Sequence, residues 1–459
     1  MKKWISTFVL LFALALSAFA AKATGEILQF PASPKDGFEW GYVLYLPQNM
    51  DLSKPLPLLF VMNDNGIHKT QEENIKSVLS RFERPSGAEV EYGIADGVGV
   101  PMVLPMVLRE PPTKGKPQLL YSHSLNRAVF VLKDGPYARL DLQVLAMLKD
   151  ARKQLKKRNI PTQKKFLIAG FSAAGSFGDK LAFLHPENIL AVAVGGEHYP
   201  MLPFETYHDI PLIFPTGAYD MKEYAGKKFN KKAWLKIPIF MVEGGEDYND
   251  PLPYTDTYGN EERNTIVQVL GEGTAQDRWK NVRKILSQVA PNVQTYTYPH
   301  LEHEWVTQDV IDFLNAHKNG GPLKPITPTD TSDRPAVLPI HVTKLYWGED
   351  AKAAAPVDAH QFVEKNELYL RVEKLEKFPF WSHSPCGFDI LYQGKVILEM
   401  KECPRSQFRN REKDIGLQAV SFSDENLAVL KKTGGKTFSL RSRYPYVWDV
   451  PENLTFTIK

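Results

Sequence analysis

Cysteine is scarce in this sequence: only two occur in 459 residues. A chain this poor in bridges has to be held by a buried core, and its length is enough for two or three domains with a sizeable one. An excess of positive charge is also missing. Lysine and arginine number 56 against 53 acids, a formal net charge of +3, and no long basic run occurs. That excludes nucleic acid as a main partner. Long apolar runs are absent after the first twenty residues, so the remainder contains no segment expected to span a membrane. No internal repeat relates one part of the chain to another.

The apolar run that does exist stands at the very start. Lys2 and Lys3 precede "WISTFVLLFALALSAFA", which ends in the small-x-small pattern Ala18-Phe19-Ala20. Residues 1–20 therefore read as a signal peptide, and the mature chain as exported, periplasmic or secreted. An uncleaved anchor is the competing reading. The two cysteines, Cys386 and Cys403, bracket "GFDILYQGKVILEMKE", where alternating apolar residues flank Gln393-Gly394-Lys395. That is a hairpin pattern which sets the sulfurs across from each other, and export makes a structural disulfide the expectation. Two separate buried thiols are the alternative.

Between these ends the pattern changes once. Over residues 21–318 short apolar runs alternate with helical stretches: "YVLYLP", "LPLLFVM", "VPMVLPMVL", "FLIAGFS", "ILAVAVGG", "IPIFMVEGG" and "VQTYTYP". Near-continuous apolar strands separated by helices predict an α/β domain with a mostly parallel sheet covered on both faces. One helix is expected where Leu140, Leu142, Leu145, Leu148 and Leu155 recur at helical spacing. Residues 319–338, rich in Pro, Gly and Thr, have the composition of an extended linker. Residues 339–459 turn to period-two runs such as "IHVTKLYW", "ELYLRVEKL", "KVILEM" and "TFSLRSR", with one short helical stretch, "DENLAVLKK". These predict a smaller all-β accessory domain, a sandwich.

The stretch "FLIAGFSAAG" carries the first chemical signal. An activated serine has to be lifted clear of a sheet edge on a tight turn whose neighbours are small, and Gly170, Ala173, Ala174 and Gly175 surround Ser172 in that way. The helix that follows aims backbone N–H groups at the same place. Two later strands end in the partners a serine needs. "IPIFMVEGGEDYND" emits Glu246, Asp247 and Asp250. "VQTYTYPHLEHEW" emits His300 and His303.

Ser172, the "GGED" segment and the "HLEHEW" loop, in that order after three strands, resemble the α/β-hydrolase family. The likeness is to secreted esterases of the polyhydroxyalkanoate-depolymerase and feruloyl-esterase type, over residues 41–318. The resemblance implies Ser172 as nucleophile, Asp247 as acid and His303 as base, with Asp250 and His300 as the alternatives beside them. It implies an oxyanion hole from the backbone N–H groups of Ala173 and Asn65, and no metal or organic cofactor. Two positions depart from the pattern. Ala174 stands where the elbow usually has its last glycine. The loop Asn63-Asp64-Asn65-Gly66 replaces the usual His-Gly, and an inward Asp64 carboxylate would oppose an oxyanion.

The expected function is serine-dependent hydrolysis of a small or polymeric carboxylic ester. A peptidase of the same fold and a catalytically inactive binding protein are the alternatives. Glu197 and His198 in "GGEHYP" are expected to line the same cleft, with a spacing that fits no metal-site pattern. Tyr199, Phe204, Tyr207, Phe214, Tyr219 and Tyr224 belong to either a lid or a packed insertion, and Asp220 lies in that segment. Trp347, Trp381, Tyr444, Tyr446 and Trp448 are candidates for a carbohydrate- or polymer-holding surface, or for the sandwich core.

Overall fold

The most apolar segments of the sequence form the middle of an eight-stranded sheet. The computed structural model describes residues 24–83, 91–109, 122–252, 257–334, 340–348, 355–356, 367–373, 387–400, 415–420, 422–433, 437–443 and 448–457. The expected leader and the expected Cys386–Cys403 bridge lie outside these residues.

The strands are β1 (Glu26–Phe30), β2 (Tyr42–Leu46), β3 (Leu59–Phe60), β4 (Met102–Pro105), β5 (Phe166–Phe171), β6 (Ile189–Gly195), β7 (Ile239–Gly244) and β8 (Val293–Tyr298). Their order across the sheet is β1-β2-β4-β3-β5-β6-β7-β8. The pairs of β2 with β1 and β4 are antiparallel, and the other neighbours run parallel. Every residue of β2, β4 and β7 is buried, as a sheet covered on both faces requires. β1 differs: it is a half-exposed edge strand, and its antiparallel pairing with β2 needs no crossover helix.

Helices α1 (Gln71–Arg81), α2 (Glu91–Val98) and α7 (Thr307–His317) cover one face; α3 (Leu140–Lys157), α4 (Ala173–Leu184) and α6 (Ala275–Val289) cover the other, with α5 (Asn260–Leu270) beside α6. On α3 the buried stripe is Leu140, Val144, Met147, Leu148, Ala151 and Leu155. Leu142, expected on it, is 43% exposed, because a residue two on from Leu140 lies around the far side of a 3.6-residue turn.

The segment after α7 is extended, as its composition suggests, but it is strapped to the domain. Ile326 and Gln294 exchange hydrogen bonds of 3.0 and 2.8 Å, and Thr329 donates twice to Asp309, at 2.8 and 2.7 Å. Thr331 is buried and its hydroxyl donates to the carbonyl of Pro299.

Beyond it, two mostly antiparallel sheets share one core. The first holds β9 (Ile340–Gly348), β10 (Glu367–Glu373) and β13 (Ile415–Val420), with short pieces at Ala355–Pro356 and Trp448–Asp449. The second runs β12-β11-β14-β15, from β11 (Phe388–Tyr392), β12 (Lys395–Met400), β14 (Thr437–Ser442) and β15 (Thr455–Thr457). Val342, Leu345 and Val420 from one sheet meet Phe388, Ile390, Phe438 and Leu440 from the other, which makes this a small β domain of sandwich type. Gln393 and Gly394 form the β11–β12 turn with φ of 50° and 73°, the left-handed pair that a two-residue hairpin needs.

Candidate active site

Ser172 sits at the junction between β5 and α4 with φ 56° and ψ −126°, backbone angles that a side-chain-bearing residue adopts only under constraint. The constraint comes from three directions. Its N–H donates to the carbonyl of Gly195 on β6 (2.8 Å), its carbonyl accepts from Ser176 inside α4 (3.0 Å), and the helix is driven against the strand. A Cβ on Gly170 would lie 2.4 Å from the Ala174 carbonyl oxygen, and one on Gly175 would lie 2.8 Å from that of Gly195. The close approach therefore falls on Gly170 and Gly175. Ala174 packs its methyl into the core instead, so its departure from the usual pattern costs the turn nothing. Ala173 is the first residue of α4, and its N–H is among those a helix leaves without an internal acceptor.

The expected acid, Asp247, and the expected base, His303, come together next to this turn. Asp247 and His303 are 0% and 5% exposed, and His303 Nδ1–H donates to Asp247 Oδ2 at 2.7 Å. Asp247 Oδ1 accepts the N–H of Asn249 (3.0 Å). Burial works against the Asp247 carboxylate, but the charges of His303 and His198 outweigh it and hold the group well below the usual range. The ring of Phe171, the neighbour of Ser172, packs on the His303 ring with centroids 4.7 Å apart. Asn249 Nδ2 lies 3.0 Å from His303 Nε2, a donor facing the nitrogen that carries the lone pair when Nδ1 holds the proton.

The alternatives are engaged elsewhere. Asp250 accepts from Tyr199 Oη (2.6 Å) and from the Arg278 guanidinium, in a buried network that also fixes Leu252. His300 pairs with Glu246 at 2.7 Å. Asp220 accepts from Arg127 at 2.6 Å, within an insertion where Phe214 stacks on Phe130 and Tyr224 accepts from the same arginine. That segment is a packed insertion; Tyr219 is its exposed exception.

The loop after β3 reaches the same level of the sheet. Phe60 pairs with Ile168, and Asp64 and Ser172 lie equally far beyond that pair. The Asp64 carboxylate accepts from Arg81 on α1, which also holds Glu91. The backbone donor expected from Asn65 has a competitor: that N–H donates to Asn63 Oδ1 at 3.0 Å, while Asn63 Nδ2 is pinned to the carbonyls of Pro105 and Val107. The unengaged donor is the buried side-chain amide, Asn65 Nδ2, which has no partner among the described residues.

His198, expected only to line the cleft, touches the acid. It follows β6 with φ 59°, its N–H donates to Glu243 Oε1 (2.6 Å), and its Nδ1 lies 3.5 Å from Glu243 Oε2. Its Nε2 is 3.6 Å from Asp247 Oδ2. Burial disfavours the imidazolium, yet Glu243 and Asp247 push its pKa up to about 10. Burial raises Glu243 to about 7. Glu197, also buried, is raised well above the usual range by burial and then by Asp179 and Glu243. Sequence reasoning missed Glu243 and Asn249. The only signal for Glu243 was an acid inside an apolar strand, and Asn249 had none.

One ligand atom each from His198, Asp247 and His303 lies within 4.8 Å of the others, a donor set able to hold a metal ion among the described residues.

A serine on a strained strand-to-helix turn, an acid and a histidine after later strands, and this sheet order coincide. The chain has the α/β-hydrolase fold. The sequence matches no protein-family model and no curated protein sequence. Solved structures similar to it include a poly(aspartic acid) hydrolase-1 from Sphingomonas sp. KT-1, at 15% identity over 64% of this chain and 98% of that one, with a TM-score of 0.40. A poly(3-hydroxybutyrate) depolymerase from Bordetella parapertussis is similar at 14% identity, over 64% and 88% of the two chains, with a TM-score of 0.40. A ferulic acid esterase from Anaeromyces mucronatus is similar at 13% identity, over 65% and 91%, with a TM-score of 0.34.

Proposed function

We propose that this α/β-hydrolase-fold protein is an exported serine hydrolase of carboxylic esters that works through Ser172, His303 and Asp247. The observation that carries the reading is the buried His303–Asp247 hydrogen bond beside a serine held on a strained turn. With Nδ1–H given to Asp247, His303 Nε2 takes the Ser172 proton as Oγ attacks the ester carbonyl. The ring then gives that proton to the leaving alcohol, and water hydrolyses the acyl-enzyme by the same exchange. Asn249 yields its place at Nε2 to the serine hydroxyl during this cycle. The oxyanion is met by the Ala173 N–H and by Asn65, for which the side-chain amide is the unengaged donor. Asp64 is neutralised by Arg81 and does not oppose it. The β domain is the expected holder of a polymeric or carbohydrate-linked substrate.

Ser172→Ala is expected to abolish hydrolysis of a panel of p-nitrophenyl esters. Asp247→Asn should lower kcat by about 10⁴ while the fold is kept, because the histidine then takes the wrong tautomer. Cleavage of peptides in preference to esters would replace esterase by peptidase. Absence of either activity in wild type would leave an inactive binding protein.

A further inference from the structure

His198 completes something that a serine hydrolase does not need. Asp247 already has its histidine, yet a second imidazole lies on its other side, buried, with Nε2 unpartnered and 3.6 Å from the same carboxylate oxygen that His303 Nδ1 touches at 2.7 Å. The two rings are nearly parallel, 15° apart, with centroids separated by 6.4 Å. Two imidazole nitrogens and a carboxylate oxygen are the donors of a three-ligand zinc site that leaves a fourth position open. Magnesium and calcium, which want oxygen ligands, are poorly matched. The surroundings have the form of an outer ligand shell: Glu243 stands behind His198 Nδ1, and the Asn249 N–H holds the second Asp247 oxygen.

We propose that His198, Asp247 and His303 form a site for a divalent ion of the zinc class, and that filling it switches the hydrolase off. The switch follows from the tautomer. Binding displaces the Nε2 proton of His198 to solvent; a metal on His303 Nδ1 likewise takes the place of the proton there, and the proton the neutral ring retains is on Nε2. That is the atom which has to accept the proton of Ser172. The ion also takes the Asp247 oxygen that orients the ring. Metal binding and general-base catalysis thus compete for one pair of atoms. The binding half of this inference stands on geometry alone; the inhibitory half rests on the function proposed above.

The test uses the full chain as wild type, Ser172→Ala and His198→Gln. Zinc uptake is measured by competition with a chromophoric chelator, and ester hydrolysis with and without zinc is compared as a ratio within each variant. Wild type and Ser172→Ala are expected to bind zinc alike, and His198→Gln about tenfold or more weaker. Hydrolysis by wild type should fall as the site fills and return on adding EDTA. Zinc binding by a wild type that hydrolyses no ester would uphold the site and sink the function. Failure of wild type to bind zinc, or equal affinity in a folded His198→Gln, overturns the site; inhibition that His198→Gln does not relieve overturns the switch. If His198→Gln does not fold, cobalt on wild type decides. Intense visible absorption of a four- or five-coordinate ion is the expected result, and the weak spectrum of an octahedral ion refutes it.

Discussion

Asn65 shows how finely the chemistry depends on single hydrogen bonds. Its N–H is committed to Asn63, whereas its buried Nδ2 is not. Asn65→Ala should therefore lower kcat by about 10²–10³ with little change in KM, the usual consequence of losing one oxyanion donor. An unchanged kcat in steady-state assays would assign the second donor elsewhere. Asp179 gives a residue-scale prediction for stability. Burial raises its carboxyl from 3.8 to about 6, so the folded state keeps a proton that the unfolded chain releases. The stability it contributes is whole below the ordinary value and is lost as pH rises through about 6. Asp179→Asn preserves an acceptor for the Met201 N–H, 2.8 Å away, and cannot ionise. In urea unfolding the variant should gain on wild type as pH rises from about 4 to about 8; a constant difference between the two curves would contradict this.

At the scale of elements, the strands and helices that bury a continuous face were legible, and those with another role were not. β5, β6 and β7 announce themselves as apolar runs ending in glycine or polar residues. β1 does not, because an edge strand with a half-exposed pattern has no such run. The order of serine, acid and histidine was readable for the same reason. The choice between Asp247 and Asp250 was not, since it depends on a tertiary neighbour: Arg278, far along the chain on α6, claims Asp250. The linker is the other case. Its Pro and Thr content predicts an extended segment, but only the fold shows Thr331 donating to the Pro299 carbonyl next to the histidine loop. Thr331→Val keeps the shape and orphans that carbonyl. It should cost about 1–3 kcal/mol of stability and lower kcat more than KM, because His303 is carried by the loop being held. Thermal unfolding and steady-state kinetics on one preparation would show it; a loss of stability without any loss of kcat would mean that the strap does not position the base.

At the scale of the whole molecule, the α/β domain and the β domain meet close to Asp247. Tyr248, which follows Asp247, packs on the core of the sandwich. The Asp247 loop is thus held from three sides, by Arg278 on Asp250, by Gln276 on the Asp247 carbonyl and by this contact. Among the described residues no helix is long and apolar enough to cross a membrane. The proposed chemistry depends on Ser172 being a nucleophile activated by His303 and Asp247. The most direct measurement is peptide mapping after reaction with a fluorophosphonate. A single adduct on Ser172, lost in Ser172→Ala and greatly slowed in Asp247→Asn, is the predicted result; no adduct in wild type, or an adduct that persists in Ser172→Ala, would contradict it.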